Sequence, residues 1–112
     1  MKRVEIIIRP GKLEAVRKAL ESTGHLGITI SQVEGQGKQK GTIVKSENLA
    51  LKIELHPKTK LEIVVSEADL EAVIEAVSLA ARTGQVGDGK IFVSPVSDAV
   101  RIRTGERGPA AI

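Results

Sequence analysis

Cysteine is absent from the 112-residue sequence, which excludes disulfides, thiolate metal sites and a cysteine nucleophile. Tryptophan and tyrosine are absent too, and Phe92 is the only aromatic side chain. The core must therefore be aliphatic, and the stacked rings that usually hold single-stranded nucleic acid are missing. No apolar run is long enough to span a bilayer. The N-terminus, where Val4 to Arg9 gives way to Pro10 and Gly11, lacks the run expected of a signal peptide. The expectation is a cytoplasmic protein with no nucleic-acid partner and no direct membrane insertion. Neither sign of charge dominates: Lys and Arg number 17 against 14 Asp and Glu, a formal net charge of +3. Such a small excess reads as solvated surface unless the cations cluster.

What is present has the composition of a folded globular protein, with 41% hydrophobic and 28% charged residues. The length fits a single domain over residues 1–112. A domain this small buries only about two-thirds of the surface its unfolded chain exposes, so help from partner subunits is expected. Val4 to Arg9 is rich in β-branched residues and is stopped by Pro10-Gly11, the pattern of a buried strand. Leu13, Val16, Ala19 and Leu20 then repeat at helical spacing, and Gly24 closes that helix. Ile28 to Val33 and Leu61 to Val65 alternate as strands, and Leu49 to Leu55 alternates well enough to be a strand returning to the core. Ser66 with Asp69 reads as a capping box for a second helix, carrying Leu70, Val73, Ile74 and Val77 on one face and ending near Gly84. Ile91 to Val93 is a further strand, and Val100 to Arg103 a short one after Pro95.

The order β-α-β-β-α-β predicts an α+β, ferredoxin-like domain with an antiparallel sheet and both helices on one face. The other face needs a cover, and the same face of further subunits would supply it. An extended loop of about residues 36–54 separates strands 2 and 3, longer than compact domains usually carry without a function. A tail of about residues 104–112 ends the chain.

Gly84 to Lys90 matches G-x-x-x-x-G-K, the opening of a phosphate-binding loop. However, Ile91 stands where Ser or Thr is required, and this loop joins a helix to a strand instead of a strand to a helix. The stretch reads either as a simple turn or as backbone N–H groups converging on an anion, with Lys90 as a point charge. Arg101 and Arg103, two apart on a predicted strand, leave the same face. That pair suits a polyphosphate or carboxylates, and equally a solvated strand edge. His25 and His56 have no carboxylates at metal-ligand spacing, and Glu62, Glu67, Asp69, Glu71 and Glu75 read as caps and surface charges. No acid and base pair is visible, so the protein is not expected to be an enzyme.

Thr83 to Val93 and Arg101 to Gly108 resemble the two signature stretches of the nitrogen regulatory P-II family, and Gly37 to Gly41 and Pro57-Lys58 match further segments of it. The resemblance implies a homotrimer with nucleotide sites for ATP or ADP in the clefts between subunits. Gly87, Asp88, Gly89 and Lys90 of one subunit and Thr29, Arg101 and Arg103 of its neighbour would hold the nucleotide, with Gly35, Gly37, Lys38 and Val64 lining the cleft. It further implies magnesium bridging the ATP phosphates and 2-oxoglutarate. Gln39, which falls in both the nucleotide-binding and the 2-oxoglutarate-binding sets, would supply a side-chain oxygen to the metal; Lys40 and Gly41 would offer backbone, and Lys58 would pair with the distal carboxylate.

The implied function is signalling. The protein would sense ATP, ADP and 2-oxoglutarate and regulate a client through its long loop, a transporter, enzyme or regulator of nitrogen metabolism. The alternative is a paralogue that senses adenylates only and serves a carbon or metal transport system. The loop apex departs from the family's Tyr-Arg-Gly-x-Glu-Tyr, reading Ser46-Glu47-Asn48-Leu49-Ala50-Leu51. Leu51 cannot be uridylylated as a tyrosine would be, and Leu49 replaces a serine phosphorylated in some relatives. Glu47 replaces a cation that would plug a channel, so no modification site and a different client are expected.

Overall fold

The computed structural model describes residues 1–36 and 55–112. Its elements are β1 (Lys2–Ile8), α1 (Leu13–Ser22), β2 (Thr29–Gly35), β3 (His56–Val65), α2 (Leu70–Ala81) and β4 (Gly89–Pro95). Short 3-10 turns at Pro10–Lys12 and Glu67–Asp69 lead into the two helices, and a third, Gly108–Ala111, lies in the tail. The strands pair in the order β2-β3-β1-β4, and every neighbouring pair is antiparallel. Each helix links two strands that flank a third, which makes the molecule an α+β protein of ferredoxin-like topology, as the sequence predicted.

Period-2 alternation decides which face is buried. Val4, Ile6 and Ile8 of β1 and Leu61, Ile63 and Val65 of β3 point to one side. There they meet Val16 and Leu20 of α1 and Val73, Val77 and Ala81 of α2. All are aliphatic, and fully burying each large one contributes about 1.5–3 kcal/mol. Among the described residues one polar residue enters this layer: Thr59 is fully buried, and its hydroxyl donates to Gln32 Oε1 at 3.0 Å on the adjoining strand. The opposite face carries Arg3, Glu5 and Ile7 of β1, Lys58, Lys60, Glu62 and Val64 of β3, and Lys90 and Phe92 of β4. Among the described residues no helix covers it.

Several elements differ from their predicted form. β3 starts at His56, not Leu61, because Lys58, Thr59 and Lys60 continue the pairing with β1 and β2 despite their polarity. The Ser66 side chain makes no capping bond, and the turn closes through the Asp69 N–H to the Ser66 carbonyl at 3.2 Å. α2 ends at Ala81, short of Gly84. Gly24 does close α1: its φ is 86°, its N–H bonds the Glu21 carbonyl, and the His25 N–H bonds Leu20. These bonds satisfy carbonyls that the last turn leaves free.

Val100 to Arg103 is not a strand. Val100 forms an isolated bridge with Arg107, and the chain turns between them, the Gly105 N–H donating to the Arg101 carbonyl at 2.7 Å and the Arg101 N–H to the Glu106 carbonyl at 2.9 Å. The returning strand expected at Leu49 to Leu55 falls on residues 49–54, outside the described residues; Leu55 precedes β3.

Candidate functional site

The loop from α2 to β4 is organised around one carboxylate. Asp88 accepts the backbone N–H groups of Thr83 and Gly84, each at 2.8 Å, and the Thr83 hydroxyl. Arg9, at the end of β1, adds its Nε at 3.1 Å. These donors hold the Asp88 carboxyl well below the usual carboxylate range. The Thr83 hydroxyl contributes most and the Thr83 amide next; Gly84 and Arg9 add less, and partial burial opposes them. The Asp88 carboxylate thus faces into its own loop, which leaves backbone groups and Lys90 as the parts of this stretch able to meet a ligand.

Two cations fix the carbonyls of the same loop. Arg9 Nη2 donates to the Val86 carbonyl at 2.7 Å, and Lys58 Nζ to the Gly87 carbonyl at 2.6 Å. Gly89 opens β4 with φ 103°, and a Cβ there would overlap the Ile7 carbonyl oxygen and lie 2.7 Å from its carbon. Only glycine allows β4 to come this close to β1. Lys90 follows on the uncovered face, opposite Ile7 in the register. Gly35 is at the same end of the sheet, where an added Cβ would lie 3.2 Å from Lys58 Cγ. Gly35, Lys58, Gly87, Gly89 and Lys90 are therefore brought together.

Thr29 and Val64 are elsewhere. Thr29 pairs with Glu62, and Val64 with Arg3 near the start of β1. With Glu62 they line a recess of about 590 Å³ whose other walls include Leu26, Pro109 and Ile112. A second hollow of about 300 Å³ is lined by Ile7, Asp88, Gly89, Lys90 and part of α2, and shares no lining residue with the first. Thr29 and Lys90 stand three strands and two residues apart, roughly 16 Å from strand geometry.

The tail brings Arg101 to the Thr29 side. Arg101 donates to Glu106 Oε1 at 3.2 Å and, at 3.4 Å, to the carbonyl of Ala110, between two residues of the recess wall. Thr104 donates to the same Glu106 oxygen at 2.8 Å. Arg107 is drawn to Asp98, whose carboxyl it holds below the usual range. Arg101 and Arg103 are both exposed, but on a turn, so the argument from strand alternation does not apply to them.

Gly37, Lys38, Gln39, Lys40 and Gly41 lie outside the described residues. Sequence reasoning missed Arg9 and Thr83 as organisers of the loop and Glu62 as a wall of the recess. Among the described residues no group of three or more His, Cys, Asp or Glu is placed to hold a metal, and no helix is long and apolar enough to cross a membrane.

The fold and site define a ferredoxin-like α+β protein whose polar groups gather on a glycine-bounded loop and an arginine-bearing turn. The family model for nitrogen regulatory protein P-II matches residues 1–106. The chain is 48% identical over 112 residues to nitrogen regulatory protein P-II 2 of Methanothermobacter thermautotrophicus, covering all of this chain and 97% of that one. It is 49% identical to nitrogen regulatory protein P-II of Synechocystis sp. over the full length of both. A crystal structure of Arabidopsis thaliana PII bound to citrate superposes with a TM-score of 0.81 at 43% identity, covering 99% of this chain and 91% of that one.

The chain belongs to the nitrogen regulatory P-II family, whose members are signalling regulators.

Proposed function

We propose that this protein is a homotrimeric sensor that binds ATP or ADP between subunits, responds to 2-oxoglutarate, and signals through the segment of residues 36–54. The observation that carries this reading is the separation of two half-sites on one chain. Lys90 stands on the uncovered face with Gly87 and Gly89 beside it; Thr29, about 16 Å from Lys90, and Val64 line a separate recess, whose wall at Pro109 and Ala111 adjoins the Ala110 carbonyl that Arg101 meets. A second copy laid against that face would bring the recess of one subunit to the glycine loop of the next, completing a pocket that neither holds alone. It would also cover Ile7 and Phe92.

In this pocket the backbone amides of the loop and the ammonium of Lys90 neutralise phosphates, and Arg103 and Arg101 approach from the neighbour. Adenine lies against aliphatic and backbone groups, which suits a chain with a single aromatic ring. The described donors here are cations and amides, which fit the anion and not a metal. Magnesium, when bound with ATP, would offset phosphate charge, and the donor expected to face it, Gln39, lies outside the described residues. 2-Oxoglutarate would use Gln39, Lys40, Gly41 and Lys58.

The client is a protein, a transporter, enzyme or regulator of nitrogen metabolism, and the altered apex at Glu47, Leu49 and Leu51 sets it apart from clients that read the common sequence. Differential binding of about 1–3 kcal/mol between loop conformations changes client affinity several-fold to a hundredfold. The Arabidopsis relative's bound citrate, a polycarboxylate, supports an effector of this chemistry.

A second reading is favoured by Lys58, whose ammonium is already engaged by the Gly87 carbonyl. If it stays there, the protein senses adenylates only and serves carbon or metal transport. Isothermal titration separates the two. The first reading expects 2-oxoglutarate to bind with magnesium and ATP and to lose affinity in Gln39→Ala and Lys58→Ala. Binding undiminished in either variant removes this account of the effector site.

A further inference from the structure

Resting on the nucleotide-site reading above, we propose that Arg9 is a positioning residue that sets the direction of the loop amides at residues 87 and 88 without touching the ligand itself. Arg9 stands just beyond β1, and the following Pro10 keeps it extended, with φ −61° and ψ 138°. From there its guanidinium reaches a loop 77 to 79 residues away with two different nitrogens. Nε meets Asp88 Oδ1 at 3.1 Å, and Nη2 meets the Val86 carbonyl at 2.7 Å.

The consequence follows from peptide geometry. A trans peptide is planar, with its C=O and N–H pointing in opposite directions. Drawing the Val86 carbonyl toward Arg9 therefore aims the Gly87 N–H away from Arg9. Lys58 does the same one peptide later, drawing the Gly87 carbonyl and aiming the Asp88 N–H outward. Both N–H groups belong to the loop proposed to meet a phosphate, and each is directed by a cation from outside that loop. Arg9 also closes the acceptor set of Asp88, the carboxylate that ties Thr83 and Gly84 to the far end of the loop. One side chain thus spans both ends of the turn, a task for the rigid fork of arginine that the single ammonium of a lysine does only in part.

The test uses the full-length protein and two readouts: ATP affinity by titration, and amide hydrogen exchange at Thr83 and Gly84. Arg9→Gln is expected to weaken ATP binding about tenfold, the scale of a lost hydrogen bond to a charged group. It should also speed exchange at both amides, and its effect should be non-additive with Asp88→Asn, since the two residues act as one unit. Arg9→Lys should fall between wild type and Arg9→Gln, and it provides the comparison should Arg9→Gln lower the unfolding midpoint of the whole chain.

Wild-type affinity together with wild-type exchange in Arg9→Gln overturns the proposal. Weaker ATP binding with unchanged exchange and an effect additive with Asp88→Asn also overturns it, because Arg9 would then act as a charge felt directly by the nucleotide. Lys90→Ala keeps the two readings apart. If wild type binds no ATP, the nucleotide reading fails, and exchange alone decides Arg9: faster exchange in Arg9→Gln upholds its hold on the loop, and unchanged exchange removes it.

Discussion

Replacing Gly89 by alanine tests how closely β4 must approach β1 at the glycine loop. Two costs are legible in the geometry. The residue sits at φ 103°, where a Cβ is strained by about 1–2 kcal/mol. The new methyl would also overlap the Ile7 carbonyl, which is backbone in the central region of the sheet and cannot rotate away. Overpacking of this kind costs about 1–3 kcal/mol more. The sum, about 2–5 kcal/mol, is a large share of the total stability of about 5–15 kcal/mol that a small protein has. With a urea slope of about 2 kcal/mol per molar, the unfolding midpoint should fall by roughly 1–2.5 M.

The assay is urea unfolding followed by circular dichroism at one fixed protein concentration, since association would make the midpoint concentration-dependent. Gly11→Ala is the control: nothing lies within 4 Å of its added Cβ, so its effect should stay within about 0.5 kcal/mol. A Gly89→Ala midpoint indistinguishable from that control would refute the reasoning, because β4 would then yield at no cost.

Further expectations concern assembly and pH. Phe92 is 54% exposed in the single chain and lies on the uncovered face beside Glu5. Phe92→Asp should therefore shift the proposed trimer toward monomer in analytical ultracentrifugation while leaving the circular dichroism of the chain intact; an unchanged sedimentation coefficient would place the subunit interface elsewhere. Asp88 is lowered in the folded state, so its contribution to stability is complete above the ordinary carboxylate value of about 3.9 and is lost as pH falls through the lower folded value. The stability difference between wild type and Asp88→Asn should be flat from about pH 5 to 8 and shrink only below about pH 4. A difference that shrinks between about pH 5 and 7 would mean that the carboxylate does not bind the Thr83 and Gly84 amides as described.

The elements with strong periodicity could be read from sequence. Val4, Ile6 and Ile8 alternate, Val73 and Val77 repeat at helical spacing, and Gly24 has the residue type a left-handed helix cap needs, so the order of elements and the ferredoxin-like class followed. β3 was shortened because Lys58, Thr59 and Lys60 look like loop residues until Gln32 across the strand is known to satisfy the buried Thr59 hydroxyl. The turn at Val100 to Arg107 was misread as a strand, since β-branched and arginine residues suit either, and the deciding bonds, Gly105 to Arg101 and Gly108 to Ala99, are backbone ones with no side-chain signature.

For the site, Gly89 and Lys90 stood out through glycine spacing. Asp88 entered only through the family resemblance, and its carboxylate proved to serve the loop itself. Arg9 could not stand out: its partners lie 77 and 79 positions away, and only the pairing of β1 with β4 brings them together. That Thr29 and Lys90 occupy opposed corners of the sheet was likewise invisible before the register of β2 and β4 was known.

The most direct test of the central claim is native mass spectrometry of the full-length protein titrated with ATP and magnesium. The account predicts a three-subunit mass that takes up as many as three nucleotides, and loss of that uptake in Lys90→Ala with the assembly preserved. A protein that remains a single chain, or that carries no nucleotide at millimolar ATP, would contradict it.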